Sequence, residues 1–512
     1  MTALPSLYRL AGQHRRSFPG REALVHGDER LTFERLFDRA DRLANALATM
    51  GISEGSRLLW LGQNAHRVFE LLLACSRLGA MFCCGNWRQS ESELRFVLDD
   101  FDPAIVFWQT EEVGPLMERL KENDEGRIWI AHDGVGEGSY EGLLAGVGDK
   151  GGEEATPAPD RPLLVLYTGA FDGKPNGAML SDLGLFLQAL THVPALDIRL
   201  GNAALVSTPM FHIVAWLDLL PTFVMGGKSV IARRADAELL CKLIHDEKIV
   251  TGRLQPPTAI QMAEINADGR YDLSTFRSML DIPKWREMTV RGPEIGGTGQ
   301  TEVAGPIVVG AWAGQGSTPF CGRIAPIAEA AIIDESGREV ANGELGELAI
   351  RGPVAGLGYW NRPELNARRL DGEWWKTNDL VRRDPDGTIS FVSPKRQMLK
   401  SAGENIYAAE VEAVLNLHDA VARSAIIGQP DPVWAQKVVA IVELNLGATA
   451  AEEELISFVR ERIARYKAPR SVIFVRELAM SGLSPDYRKL DADHGGGNYP
   501  GQSGAAMARA SA

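Results

Sequence analysis

Few cysteines, no long apolar run and no surplus of basic charge mark this chain of 512 residues. Its five cysteines, Cys75, Cys83, Cys84, Cys241 and Cys321, are odd in number and follow no zinc spacing. That argues against a disulfide framework or a structural metal and for a reducing, cytoplasmic setting. The most apolar stretches, 71–84 and 213–225, are broken by Arg77 and by Asp218 and Pro221, so no membrane span is expected. Residues 1–18 lack the apolar core of a signal peptide. With 54 Lys and Arg against 67 Asp and Glu, the net charge is −13. A dedicated nucleic-acid binder, which gains affinity by neutralising phosphates, is therefore not expected. A local basic patch for a phosphorylated ligand is still compatible with that balance.

What is present is an ordinary globular composition, 45% hydrophobic and 24% charged. At roughly 150 residues per domain the length fits about three units, or one large and one small. Thr32 is placed to cap a helix whose apolar positions are Phe33, Leu36, Phe37, Ala40, Leu43, Ala44 and Leu47, a period near 3.6, with Gly51 as its stop. Strands are expected at 57–61, 163–167, 203–207 and 229–232, and a helix at 68–78. Alternation of this kind implies an α/β fold: a large N-terminal domain of layered, largely parallel sheets and helices. The Gly-, Glu- and Pro-rich stretch 133–162 reads as a surface excursion. From residue 324 the texture turns to short strands at 330–333, 345–351 and 388–392, a β-rich subdomain. From about 397 a compact α/β unit follows, with helices at 408–417 and 452–464 and strands at 422–427 and 438–444. Residues 491–512 carry almost no bulky apolar side chains and read as a disordered tail. The expected division is 1–395 as the large domain, 396–490 as a small mobile domain, and 491–512 as tail.

The most telling segment, Tyr167-Thr-Gly-Ala-Phe-Asp-Gly-Lys-Pro-Asn-Gly177, follows a strand directly. A glycine-rich loop in that position is a candidate phosphate cradle, because bare backbone N–H groups can close on an anion. Further blocks follow in order: Pro209-Met-Phe-His212, Gln255-Pro-Pro-Thr258, Thr298-Gly-Gln-Thr-Glu302, Gly346-Glu-Leu-Ala-Ile-Arg-Gly352, Gly358-Tyr-Trp-Asn-Arg-Pro363 and Trp375-Lys-Thr-Asn-Asp379. Lys400-Ser-Ala-Gly-Glu-Asn-Ile-Tyr407, Ile426-Ile-Gly-Gln-Pro-Asp-Pro-Val-Trp434 and Tyr466-Lys-Ala-Pro469 complete the set. Together they resemble the adenylate-forming superfamily of acyl-CoA synthetases, peptide-synthetase adenylation domains and luciferases.

The resemblance implies two half-reactions. ATP and a carboxylate give an acyl-adenylate and pyrophosphate; the acyl group then passes to a thiol. It places adenylate binding at Thr298, Gly299, Thr301, Glu302 and Asp379, with Asp379 accepting from the ribose hydroxyls. Glu302 is at most a magnesium ligand, so magnesium stays uncertain. His212 falls where the acyl and thiol channels are gated, and Gly403 where a pantetheine arm passes close to backbone; these two are the catalytic candidates. Trp434, Tyr466, Lys467 and Arg470, with Gly403, fall at the coenzyme A site, and Arg396 at the hinge of the small domain.

The departures are concentrated at the phosphates. The family's Ser-Gly-Thr-Thr core becomes Gly169, Ala170, Phe171 and Asp172, and its loop lysine becomes Asn176. Hydroxyl donors are lost and an anion is gained where phosphate oxygens must be met. The late catalytic lysine falls at Pro485, with Lys489 nearby in a different register, and the hinge arginine position holds Pro394. The expectation is a non-adenylating acyl-CoA ligase, taking acyl-adenylate and coenzyme A to acyl-CoA and AMP, with a separate adenylating enzyme as partner. This pattern resembles the separated ligases of platensimycin/platencin-type diterpenoid antibiotic biosynthesis, which implies a bulky diterpenoid acid as the acyl group. Two alternatives stay open: a complete ATP-dependent acid–CoA ligase, and an inactive relative that binds an adenylate or coenzyme A ester.

Overall fold

The computed structural model describes residues 4–497 and Tyr499, apart from 123, 125, 149–151, 169–174, 294–296, 311–320, 396–397, 402–403 and 482–483. Two sheets form the first layers of the large domain. One has six strands in the spatial order Ile128–Ala131, Ile105–Trp108, Arg57–Leu61, Met81–Cys84, Pro162–Thr168 and Asn176–Ser181; all its pairings are parallel except the last. The other has five, in the order Thr251–Gly252, Ala203–Val206, Lys228–Ile231, Glu22–His26 and Glu29–Thr32, again parallel up to its final pair. Short apolar strands such as Leu58-Leu-Trp-Leu61 are buried on both faces, as parallel strands under helices must be.

The helices Phe33–Thr49, His66–Leu78 and Ile213–Val224 share one core with Leu24, Leu58, Leu164 and Val206 of those sheets. Thr32 caps the first of them by accepting from the Arg35 backbone N–H. His66–Leu78 is buried at every position but Arg67, with Glu70 and Arg77 among the buried side chains, the pattern of a helix held between layers.

An eight-stranded sheet, antiparallel throughout, makes the β-rich part and includes Gly297–Gln300, Leu345–Arg351, Trp374–Arg383 and Ile389–Pro394. The small domain has a five-stranded sheet built around the long hairpin Val421–Asp431 and Ala435–Leu444, covered by helices Ala408–Leu415 and Glu452–Arg460.

Two readings need correction. The stretch 133–162 is not all surface. Tyr140 opens a short helix, Tyr140–Ala145, and is fully buried, its hydroxyl donating to Glu70 Oε2 at 2.7 Å. The aromatic ring joins the main core, which the flanking glycines concealed. The tail begins later than residue 491. Helix Tyr487–His494 runs across that boundary, and Tyr499 packs into the small domain's core with its hydroxyl donating to Asp491 Oδ1 at 2.6 Å and accepting from Gly428 N at 3.0 Å. Residues 501–512 lie outside the described residues.

Candidate nucleotide and thioester site

The acidic centre is built by two local irregularities. Strand Gly297–Gln300 shifts register between Thr298 and Gly299 against its neighbour Gly305–Val309. A side chain at Gly299 would meet the Gly305 carbonyl at 2.1 Å, so only glycine allows this approach. The chain then turns through Thr301–Val303, which buries Glu302 at 7% exposure. On strand Trp374–Arg383 a second shift falls opposite Glu347 and Ala349, with Asn378 left-handed at φ 65°. Thr377 Oγ1 donates to Leu348 O at 2.8 Å, and Asn378 N donates to Glu347 Oε1 at 2.8 Å. This bulge re-aims Asp379 toward Glu302.

One network joins the two strands. Gln300 Nε2 donates to Thr377 O at 2.9 Å and lies 3.4 Å from Asp379 Oδ2, while Trp375 Nε1 donates to Gln300 Oε1 at 3.3 Å. Tyr359 donates its hydroxyl to Glu302 Oε1 at 2.6 Å, and Thr168 Oγ1 reaches the same oxygen at 3.5 Å. Burial, and then the Glu302 charge, push the Asp379 carboxyl up to about 7. Asp379 thus exchanges its proton near neutrality, and as the anion it can accept two hydroxyl donors. Among the described residues no group of three or more His, Cys, Asp or Glu could hold a metal ion. Glu302 alone could offer an oxygen to a magnesium ion carried on phosphates, since that ion keeps water and phosphate oxygens as its other ligands.

His212 caps helix Ile213–Val224, its Nδ1 accepting from Val214 N at 3.3 Å. Burial pushes this imidazole down to about 4, and the Lys400 and Arg88 cations act in the same direction. His212 is therefore neutral, with its proton on Nε2. It can shape a channel and donate a hydrogen bond, but it is a poor base.

The small domain meets this region through the hairpin Met398–Ser401 and Glu404–Tyr407. Tyr407 packs against the large-domain core that contains Tyr359 and Trp375, and Glu302 and Asp379 both oppose ionisation of its hydroxyl. Lys400 donates to Asn405 Oδ1 at 2.7 Å, and Glu404 pairs with Arg88 of the large domain at 3.0 Å. Gly403, between the two strands, lies outside the described residues, as does Arg396.

Of the coenzyme A candidates, Trp434 and Arg470 are brought together, the guanidinium 3.8 Å from the ring centroid. Arg470 is exposed and Trp434 half-buried, so they present a flat, cationic surface. Tyr466 packs onto the small-domain core. Lys467 is a correction. It is 3% exposed and bonds Glu93 Oε1 of the large domain at 2.9 Å and Glu410 Oε1 of the small domain at 2.6 Å. Its charge is committed to these two carboxylates rather than offered to phosphates. The partners lie 374 and 57 residues away, beyond the reach of any local pattern.

At the phosphate side, residues 169–174 lie outside the described residues. Asn176 is 2% exposed and accepts from Arg362 Nε at 3.1 Å, within a group that includes the Arg362–Asp100 pair at 2.7 Å. Pro485 lies in a two-residue hairpin opposite Met480, which packs beside Ile427, Ile441 and Leu490 of the small domain itself. Lys489 is on helix Tyr487–His494 and pairs with Asp493 at 2.7 Å. Gln300, Tyr359 and Tyr407 were not singled out as site residues, although each lies inside a block quoted above.

The sequence profile of the AMP-binding enzyme matches residues 12–360, and that of the AMP-binding enzyme C-terminal domain matches 410–482. The chain belongs to the AMP-binding enzyme family. An indoleacetate–CoA ligase from Aromatoleum aromaticum is 31% identical over 490 residues, 93% of this chain and 96% of that protein. A feruloyl-CoA synthase from Amycolatopsis is 31% identical, over 91% of this chain and 94% of that protein. Among solved structures, a double mutant of o-succinylbenzoate CoA synthetase from Bacillus subtilis, bound to a product analogue, superposes with a TM-score of 0.80 at 24% identity, over 96% of this chain and 98% of that one. The amide bond synthetase McbA from Marinactinospora thermotolerans gives 0.79 at 23%, over 96% and 100%. At such identities the structural matches establish the two-part fold.

Proposed function

We propose that this AMP-binding enzyme is an acid–CoA ligase whose retained chemistry is the thioester-forming half: acyl-adenylate and coenzyme A give acyl-CoA, AMP and a proton. The observation that carries this reading is the placement of the 398–407 hairpin. Tyr407 lies against the Glu302 and Asp379 region, whereas Pro485 pairs with Met480 in a separate two-stranded ribbon that packs on the small domain. A proline at that position offers neither a charge nor an N–H to a departing pyrophosphate. In the proposed step the thiolate attacks the acyl carbonyl, the bond from carbon to the phosphate oxygen breaks, and AMP leaves as an anion. A thiol of pKa about 8.5 supplies enough thiolate near neutrality, so alignment and exclusion of water are the protein's main tasks. Asp379 would hold the ribose, and the Trp434–Arg470 surface would take the flat, anionic end of coenzyme A. The supplier of the adenylate would be a separate adenylating enzyme. The diterpenoid acyl group rests on the resemblance alone.

A second reading is favoured by the names of the relatives, which are those of acid–CoA ligases and synthases without such a division. On that reading the chain also forms its own adenylate from ATP. Two assays separate them. One supplies ATP, magnesium, coenzyme A and a panel of carboxylic acids, and follows pyrophosphate. The other supplies synthetic acyl-adenylates with coenzyme A, and follows AMP and acyl-CoA. Turnover in the second assay alone is expected; pyrophosphate release in the first would replace the first reading with the second.

A further inference from the structure

Two ion pairs cross from the large domain to the small one, and both start from the stretch 88–93, which follows strand Met81–Cys84 and opens helix Glu91–Phe101. Arg88 pairs with Glu404 at 3.0 Å, and Glu93 Oε1 with Lys467 at 2.9 Å. Ser92 Oγ adds a third contact, donating to Arg462 O at 3.2 Å. The far ends of both pairs converge on one unit of the small domain. Glu404 opens the second strand of the 398–407 hairpin. Lys467 gives its other bond to Glu410 Oε1 at 2.6 Å, and Glu410 lies in the first turn of helix Ala408–Leu415. Tyr407 is the N-cap of that helix, so fixing Glu410 also fixes the strand end that carries Tyr407.

Glu93 serves two partners at once. Its Oε2 accepts from the Ser90 backbone N–H at 2.8 Å, which closes the capping box of helix Glu91–Phe101, while Oε1 takes Lys467. The cap holds the side chain, so the large domain alone aims Oε1 at the small domain. Lys467 stands between two helix N-termini, whose partial positive charge would repel an ammonium. A carboxylate in the first turn of each helix, Glu93 and Glu410, reverses that sign locally. All three side chains are buried, so loss of one carboxylate leaves the cation short of a partner in a dry interface.

We propose that Glu93 is a positioning residue of the thioester-forming arrangement: by holding Lys467, and through it Glu410, it seats the 398–407 hairpin against the Glu302 and Asp379 region. The kinetic consequence rests on the proposed thioester-forming reaction; the seating itself does not. Glu93 acts through Lys467 and Glu410, so its effect on turnover is one of alignment.

The test uses the full chain and two variants. Glu93→Gln keeps the size of the side chain and removes its charge from Lys467. Glu93→Asp keeps a carboxylate in the first helical turn, and so supports the fold, but draws it back from Lys467 by one methylene. Spin labels on Glu118→Cys, in helix Gly114–Glu122 of the large domain, and on Glu453→Cys, in helix Glu452–Arg460 of the small domain, report the distance between the domains. Both positions are exposed, and the five native cysteines are buried. The labelled parent should give one narrow distance distribution. Glu93→Gln should shift or broaden it, and kcat with synthetic acyl-adenylates and coenzyme A should fall about tenfold to a hundredfold, the scale on which small misplacements act. KM for the adenylate should stay within about threefold, because Asp379 and Glu302 belong to the large domain and bind without the latch. Glu93→Asp should move both readouts in the same direction by less. Distances unchanged in both variants would overturn the role of Glu93, and changed distances with an unchanged kcat would overturn its link to the reaction. Absence of turnover by the parent on every adenylate would instead overturn the proposed reaction, while the label distances would still decide whether Glu93 seats the hairpin.

Discussion

At the ribose end of the proposed nucleotide site, Gln300 Nε2 reaches Asp379 and the Tyr359 hydroxyl donates to Glu302. At its proposed phosphate end, Asn176 turns inward to Arg362, while Pro485 sits on the small domain and carries no charge. The two ends would be asked for different things. Ribose needs a fixed acceptor, which a buried carboxylate supplies. A triphosphate needs donors and positive charge aimed at oxygens that gain charge in the transition state. On the resemblance, the family's loop lysine and late lysine fall at Asn176 and Pro485. On the proposed reading, the fold keeps one half of a binding site and gives up the groups that served the other.

The contrast is most easily broken by Asp379→Ala. Two hydrogen bonds to a charged acceptor contribute about 1.5–3 kcal/mol each. AMP affinity should therefore fall by about 10²–10⁴-fold in titration calorimetry. A loss under tenfold would show that the nucleotide is not held at this end. The small domain must also stay over the ribose end, and Lys467 helps to hold it there. Lys467→Met would leave Glu93 and Glu410 facing each other in the interior. Denaturant unfolding should register a destabilisation of about 3–5 kcal/mol, the usual cost of breaking one partner out of a buried pair. A loss below about 1 kcal/mol would mean the pair is effectively solvated.

Pro485→Lys addresses the phosphate end. If absence of charge there limits adenylation, pyrophosphate release from ATP and a carboxylic acid, expected to be absent in the parent, should become measurable. No rise would move the defect to the altered loop at 169–172.

The smallest effect is a pH dependence. Asp379 has its proton affinity raised to about 7 by burial and by Glu302. Only the anion accepts from both ribose hydroxyls, so AMP affinity should increase about tenfold from pH 6 to pH 8, and Asp379→Asn should flatten the profile. The sign for stability is the opposite. The folded chain binds this proton more tightly than the unfolded chain, so this group alone lowers stability as pH rises from about 4 through 7. His212, pushed down to about 4, adds nothing to the profile between those limits of the binding assay.

Much of the architecture was legible in the chain. The period of 3.6 after Thr32, the short apolar strands at 57–61, 203–206 and 345–351, and the textural change after residue 324 are all present in the fold. Tyr140 and Tyr499 were missed because a single aromatic among glycines carries no periodicity, and only the surrounding core reveals where it packs. Asp379 and Glu302 stood out as acids at the ends of recognisable blocks. That Tyr359 and Gln300 hold them was hidden, because those contacts join segments 57 and 79 residues apart.

By itself, the sequence determined the order of strands and helices, the family, the acidic pair, and the lack of positive charge at Asn176 and Pro485, because these are local properties of residue type and spacing. Tertiary structure alone decided the fate of Lys467, the proton affinity of Asp379, the neutrality of His212 and the pairing of Glu93. Each of these depends on how much water is excluded and which distant charge lies alongside, and neither quantity exists until the layers have packed.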